Sequence, residues 1–286
     1  MTRRDPHLDR RALFASAAAA TLLAATGVSA AGLPRRGGRL RMALSGAARD
    51  DSWAKGDGLF MQVARQGLVF DTLTEVAADG TLRGELATHW RSSEDSRVWH
   101  FDLRQDVVFH DGAAFSAADV VASAQGFPDG VVQQTGRYQV RINLFVPEPD
   151  LPFRLSGPEF YIAPAHAMGS GIGTGLYRVT RFAPGQQLLT ERVMTHYKDG
   201  TAGWFDEVEL VSVPAEGVRA EALGGYLVDA ADLNDPQLVA GLPDVITLPD
   251  QHCVTQGVST DLMQPAQIGS AAPMDNLRAG ERWWFG

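Results

Sequence analysis

The chain has 286 residues, 45% of them apolar, enough to bury a core and to exclude disorder as its main state. Lys and Arg total 25 against 34 Asp and Glu, so the net charge is -9, and nucleic acid is excluded as an expected partner because binding phosphates needs clustered cations. The one cysteine, Cys253, excludes an internal disulfide and a cysteine-rich zinc site.

In chain order, the first segment reads as an address. Arg3, Arg4, Arg10 and Arg11 precede an uncharged run from Ala12 to Gly27, and Val28-Ser29-Ala30 has the small residues that signal peptidase reads. Residues 1–30 are therefore expected to be an export signal cut near Ala30, with a periplasmic product. The Arg10-Arg11 pair resembles a twin-arginine signal, and the route, general or twin-arginine, stays open. Beyond these residues no apolar run reaches the ~18 residues of a membrane helix. Residues 31–38 form a Pro/Gly/Arg linker.

Arg39 to Leu44 reads as a strand, and Asp57 or Gly58 opens a helix to about Gln66. Val98 to Arg104 alternates, with Trp99, Phe101 and Leu103 on one face. Ser116 with Asp119 three residues on is a capping box for a helix through Ala124. Tyr138 to Val146 alternates again. Leu176 to Phe182 and Gln187 to Val193 form a hairpin about Ala183-Pro184-Gly185, Glu207 to Val213 is a further strand, and Ala215 to Leu223 is a helix. Strands broken by single helices predict a mixed α/β (α+β) fold.

No constellation points to catalysis or to a metal. The seven histidines are scattered, without the close spacing of a helical zinc pair. His110-Asp111-Gly112 reads as a turn. Gly169 to Gly175 carries four glycines but no following Lys-Ser or Lys-Thr, so it is not a phosphate loop. Nothing assembles a nucleophile, a base and an orienter, so no enzyme and no cofactor is expected.

Several runs together resemble one family. Gly37-Gly38-Arg39-Leu40-Arg41-Met42-Ala43-Leu44-Ser45 is followed by Gly67-Leu68-Val69-Phe70-Asp71-Thr72-Leu73-Thr74-Glu75, by Glu85-Leu86-Ala87-Thr88-His89-Trp90 and by Trp99-His100-Phe101-Asp102-Leu103-Arg104. Then come Val108-Phe109-His110-Asp111-Gly112, Phe115-Ser116-Ala117-Ala118-Asp119-Val120-Val121, Gly173-Thr174-Gly175-Leu176-Tyr177-Arg178 and Val228-Asp229-Ala230-Ala231. Their order and spacing resemble the family 5 extracellular solute-binding proteins, the dipeptide-, oligopeptide- and nickel-binding components of ABC importers.

The resemblance implies lobe one of a type II periplasmic-binding-protein-like fold over residues 39–260. Residues 261–286 look like a truncated start of lobe two, from Pro273-Met274-Asp275-Asn276-Leu277-Arg278 to a Trp283-Trp284-Phe285 tail, with the second lobe missing. A second shortening follows Ala124, and Lys198 stands where the family carries a Trp. By resemblance the ligand loop is Trp53, Gly56, Asp57 and Gly58. Gly56 and Gly58 would allow close approach of a peptide backbone. Asp57 could meet a ligand amine or cap the helix, and Trp53 could stack on a solute or pack beneath the loop. The expected function is periplasmic capture of a peptide or similar solute for an ABC permease and ATPase. The alternative is a truncated or degenerate lobe that has lost solute binding, or binds weakly, and acts through protein contacts, self-association among them.

Overall fold

The computed structural model describes residues 36–76, 81–242, 245–248 and 255–259. The expected export signal and the expected start of lobe two lie outside the described residues.

Among the described residues the larger sheet has seven strands in the order β12-β13-β11-β1-β10-β9-β8. These are β1 (Arg39–Leu44), β8 (Tyr177–Ala183), β9 (Gln187–Arg192), β10 (Glu207–Ser212), β11 (Ala230–Leu233), β12 (Val245–Leu248) and β13 (Thr255–Ser259). β1 lies at the centre, parallel to β10 on one side and to β11 on the other, while the remaining pairs are antiparallel. Strand alternation gives β1 two different faces. Leu40, Met42 and Leu44 join one core, and Ala43 joins another.

The helix after β1 covers the first face. It starts as α1 (Leu59–Gln62) and continues as a π-helix over Val63–Val69, ending where the Phe70 amide donates to the Arg65 carbonyl at 2.7 Å. Phe60, Met61, Val63, Ala64, Leu68 and Val69 pack on the Leu40 side of the sheet. The second face is covered by α4 (Glu216–Gly224), whose Ala220 and Leu223 meet Ala43, Ala231 and Leu233.

A smaller sheet follows the order β4-β5-β7-β6, built from β4 (Ala87–Ser92), β5 (Val98–Leu103), β6 (Gly130–Gly136) and β7 (Gln139–Leu144). Trp99, Phe101 and Leu103 point into its core, as the alternation requires. The helix α2 (Ala117–Ser123) begins with the expected capping box between Ser116 and Asp119 and packs on this sheet. A short hairpin, β2 (Thr74–Val76) with β3 (Leu82–Gly84), and the single turn α3 (Leu151–Arg154) lie nearby. Among the described residues no helix is long and apolar enough to cross a membrane.

Candidate functional site

β1 and β10 are parallel neighbours, yet the helices that follow them go to opposite faces of the sheet. In open α/β sheets the loops leaving such a pair part, and the carboxyl ends of the two strands are where a ligand crevice forms. The loop over residues 45–58 leaves β1 at that end, and residues 213–215 leave β10.

Buried charge anchors this crevice from below. Asp232, at the end of β11, accepts the Ser45 backbone N–H at 2.8 Å and its hydroxyl at 2.6 Å. Arg219 on α4 is only 1% exposed. It donates to the carbonyls of Asp232 and Val213, both at 2.7 Å, and of Pro214 at 3.0 Å, and pairs with the Asp232 carboxylate at 3.3 Å. One guanidinium thus ties together the ends of β10 and β11, and through Asp232 the end of β1.

The loop itself is held by close backbone approach. A Cβ on Gly58 would stand 1.8 Å from the Gly46 carbonyl oxygen, so no side chain fits there. Gly56 has φ of 105°, and its Cβ would meet Asp51 Oδ1 at 2.3 Å. Asp51 accepts the Ala48 N–H at 2.7 Å, and Ser52 and Lys55 bond to one another across the turn. Arg65, 8% exposed and projecting from the π-helix, donates to the Ser52 carbonyl at 3.2 Å and to that of Lys55.

The four residues expected to form the ligand loop therefore divide by role. Gly56 and Gly58 set its path. Trp53 is 7% exposed, between Phe70 at 5.7 Å and Phe182 at 4.9 Å between ring centroids, and its carbonyl accepts the Tyr161 hydroxyl at 2.8 Å. Of the two readings of Trp53, the structure shows the packed one. Asp57 does not cap the helix: Gly58 occupies the N-cap position, because the chain is already extended there, and no side-chain cap bond forms. The Asp57 carbonyl accepts the Gln62 amide at 2.7 Å. Its exposed carboxylate has no hydrogen bond or ion pair among the described residues. Sequence patterning does not single out Arg65, Arg219 or Asp232: Arg65 alone is a charge within an apolar stretch, whereas Arg219 lies between Glu216 and Glu221 and Asp232 between Asp229 and Asp235.

A second buried polar cluster joins Asp71, Thr174, His196, Lys198, Glu75 and Glu85. Thr174 donates to Asp71 at 2.9 Å, and His196 Nε2 donates to the Thr174 carbonyl at 2.9 Å while lying 3.7 Å from Asp71. Burial raises the Asp71 pKa, but the hydrogen bond and charge of His196, with the charge of Lys198, more than offset this and hold it well below the usual carboxylate range. Lys198 Nζ reaches Glu75 at 2.6 Å and Glu85 at 2.8 Å. His110 Nε2 donates to the Gly175 carbonyl at 2.8 Å, and its Nδ1 accepts from Gly173 at 3.4 Å. Burial lowers its pKa, against the opposing pull of the Gly175 bond. Among the described residues no group of three or more His, Cys, Asp or Glu side chains is placed to hold a metal ion.

The family model described as bacterial extracellular solute-binding proteins, family 5 Middle, matches residues 81–242. The chain belongs to this family. The nickel-binding periplasmic protein of Escherichia coli K12 is 39% identical over 66 residues, covering 23% of this chain and 12% of that one. The periplasmic binding protein DppA of Helicobacter pylori, solved with the peptide STSA, superimposes with TM-score 0.67 at 21% identity, over 76% of this chain and 51% of its own. AgaA of A. tumefaciens R10, solved with agropinic acid, gives TM-score 0.66 at 23% identity, over 74% of this chain and 48% of its own. The chain spans about half the length of these two family 5-like structures. Loop 45–58 precedes the span that the family 5 model matches.

Proposed function

We propose that this chain is a solute-binding component of an ABC importer. It takes a peptide or similar small solute into the crevice at the carboxyl ends of β1 and β10 and presents it to a permease and its ATPase on the outer side of the cytoplasmic membrane. The observation that carries this reading is the opposed departure of the helices after β1 and β10, with Asp57 exposed on the loop that leaves β1. A solute ammonium would pair with the Asp57 carboxylate, and backbone groups of residues 54–58 would bond to an extended solute. Membership of the family supports the class of function; the peptide in DppA and the agropinic acid in AgaA support small organic solutes as its range.

Calorimetry of the full chain with pooled short peptides, each free and N-acetylated, tests this. Binding of free peptides is expected, weakened about 10- to 100-fold by N-acetylation or by Asp57→Asn, as for one charged hydrogen bond. No heat and no thermal shift at millimolar solute would overturn it. Residues 1–30 are proposed as the export signal. Intact mass of exported protein should then place the first residue near Ala31, and recovery of only the uncut chain in the cytoplasm would refute export.

A further inference from the structure

The smaller sheet and α2 enclose a second, quite different recess. Its volume is about 330 Å³. Leu73, Val120, Ile142, Leu155 and Ile162, all buried, form its floor. Phe127 and Phe160 form part of its wall, edge to face, with ring centroids 6.1 Å apart and planes at 67°. Protein interiors are close-packed, so an opening of this size, lined mostly by apolar side chains, is not ordinary core. It falls at the lower end of the range of small-molecule sites. An apolar cavity of ~150 Å³ accepts benzene, so roughly twice that volume suits two fused rings.

The mouth selects by charge. The Arg154 guanidinium lies 5.1 Å from the Phe127 ring centroid and 5.7 Å from that of Phe160. Its charge is already matched by Asp129 at 2.9 Å and Glu148 at 3.2 Å. Glu159 adds a third carboxylate on the wall itself. One guanidinium against three carboxylates repels an anion and leaves a neutral or cationic guest favoured.

We infer that this recess is a binding site for a small neutral or amine-bearing aromatic molecule of about two rings, separate from the solute crevice. Its walls come from the core of the smaller sheet, whereas the crevice is built on the larger one.

The test uses the full chain and three probes of one shape and different charge: indole, tryptamine and indole-3-acetate, followed by calorimetry and ligand-detected NMR. Indole and tryptamine should bind at micromolar to millimolar concentration, and indole-3-acetate about tenfold more weakly. Ala124→Phe and Val132→Phe each put a ring into the recess. Both should abolish probe binding with the far-UV circular dichroism unchanged, while Asp57→Asn leaves it intact. If one filled variant misfolds, the other decides. Failure of indole and tryptamine to bind, or binding that survives a folded filled variant, would overturn the site. Equal or tighter binding of indole-3-acetate would overturn its charge class. A concentration-dependent dimer abolished by the filling substitutions, with no probe binding, would assign the recess to a second copy instead and refute the small-molecule reading.

Discussion

Gly58 shows how one missing side chain places a whole loop. Its α-carbon lies so close to the Gly46 carbonyl that a methyl group would overlap it at 1.8 Å. Gly58→Ala must move either backbone, at a cost of about 1–3 kcal/mol by the measure of overpacked cores, readable in urea denaturation. The same substitution should weaken solute binding, because the loop moves with it. His110 makes a second residue-scale prediction. Burial lowers its folded pKa, so below about pH 6.5 the unfolded chain takes up a proton that the folded chain does not. Stability is therefore complete above that pH and falls as the pH drops below it. His110→Gln should flatten that slope in denaturation curves taken from pH 7 downward. Asp71 acts in stronger acid. Its depressed pKa contributes stability above about pH 3.9, the unfolded value, and this is lost as the pH falls further.

At the scale of elements, Lys198 joins the turn after β9 to the β2–β3 hairpin. It lies between Glu75 and Glu85, and Glu85 is fully buried. Arg83 also pairs with Glu75, at 2.7 Å. Lys198→Met should cost about 3–5 kcal/mol, because it removes the cation beside a buried carboxylate that keeps its hydrogen bonds from Thr72. Adding Glu85→Gln should recover part of that loss, and a double-mutant cycle by denaturation measures it. Which elements were legible in the sequence follows from where they sit. β5 and β7 are the inner strands of the smaller sheet and show clean alternation. β4 and β6 are its edges, largely exposed, and Ala87-Thr88-His89-Trp90-Arg91-Ser92 carries no period to read. β11 is buried on both faces, so its four residues show no alternation either. The helix opening at Gly58 was legible from its apolar spacing. Its π-helical continuation to Val69 was not, because Arg65 and Gln66 are drawn to the Lys55 and Ser156 carbonyls, contacts that exist only in three dimensions. The site followed the same rule: Asp57 could be named from its loop, whereas Asp232 meets Ser45 from 187 residues away.

At the scale of the molecule, the two sheets are joined by buried bonds rather than by a loose tether. His110, which follows β5 of the smaller sheet, donates its backbone N–H to the Gly173 carbonyl at 2.9 Å and its ring Nε2 to the Gly175 carbonyl at 2.8 Å, just before β8 of the larger one. Hydrogen exchange should accordingly find β1 and β10 the slowest, with the edge strands β4, β6 and β8 exchanging earlier. The central position of β1 also has a temporal side. Its neighbours across the sheet are set by pairs such as Arg39 with Glu207, 168 residues apart, and Arg41 with Asp229, 188 apart. Among the described strands, the first to be synthesised thus waits for neighbours made far later. Until more than two hundred residues have left the ribosome it has no parallel partner, and loop closure over such separations is slow. A nascent chain ending near residue 205 should leave β1 open to protease, and one extended past Leu233 should protect it.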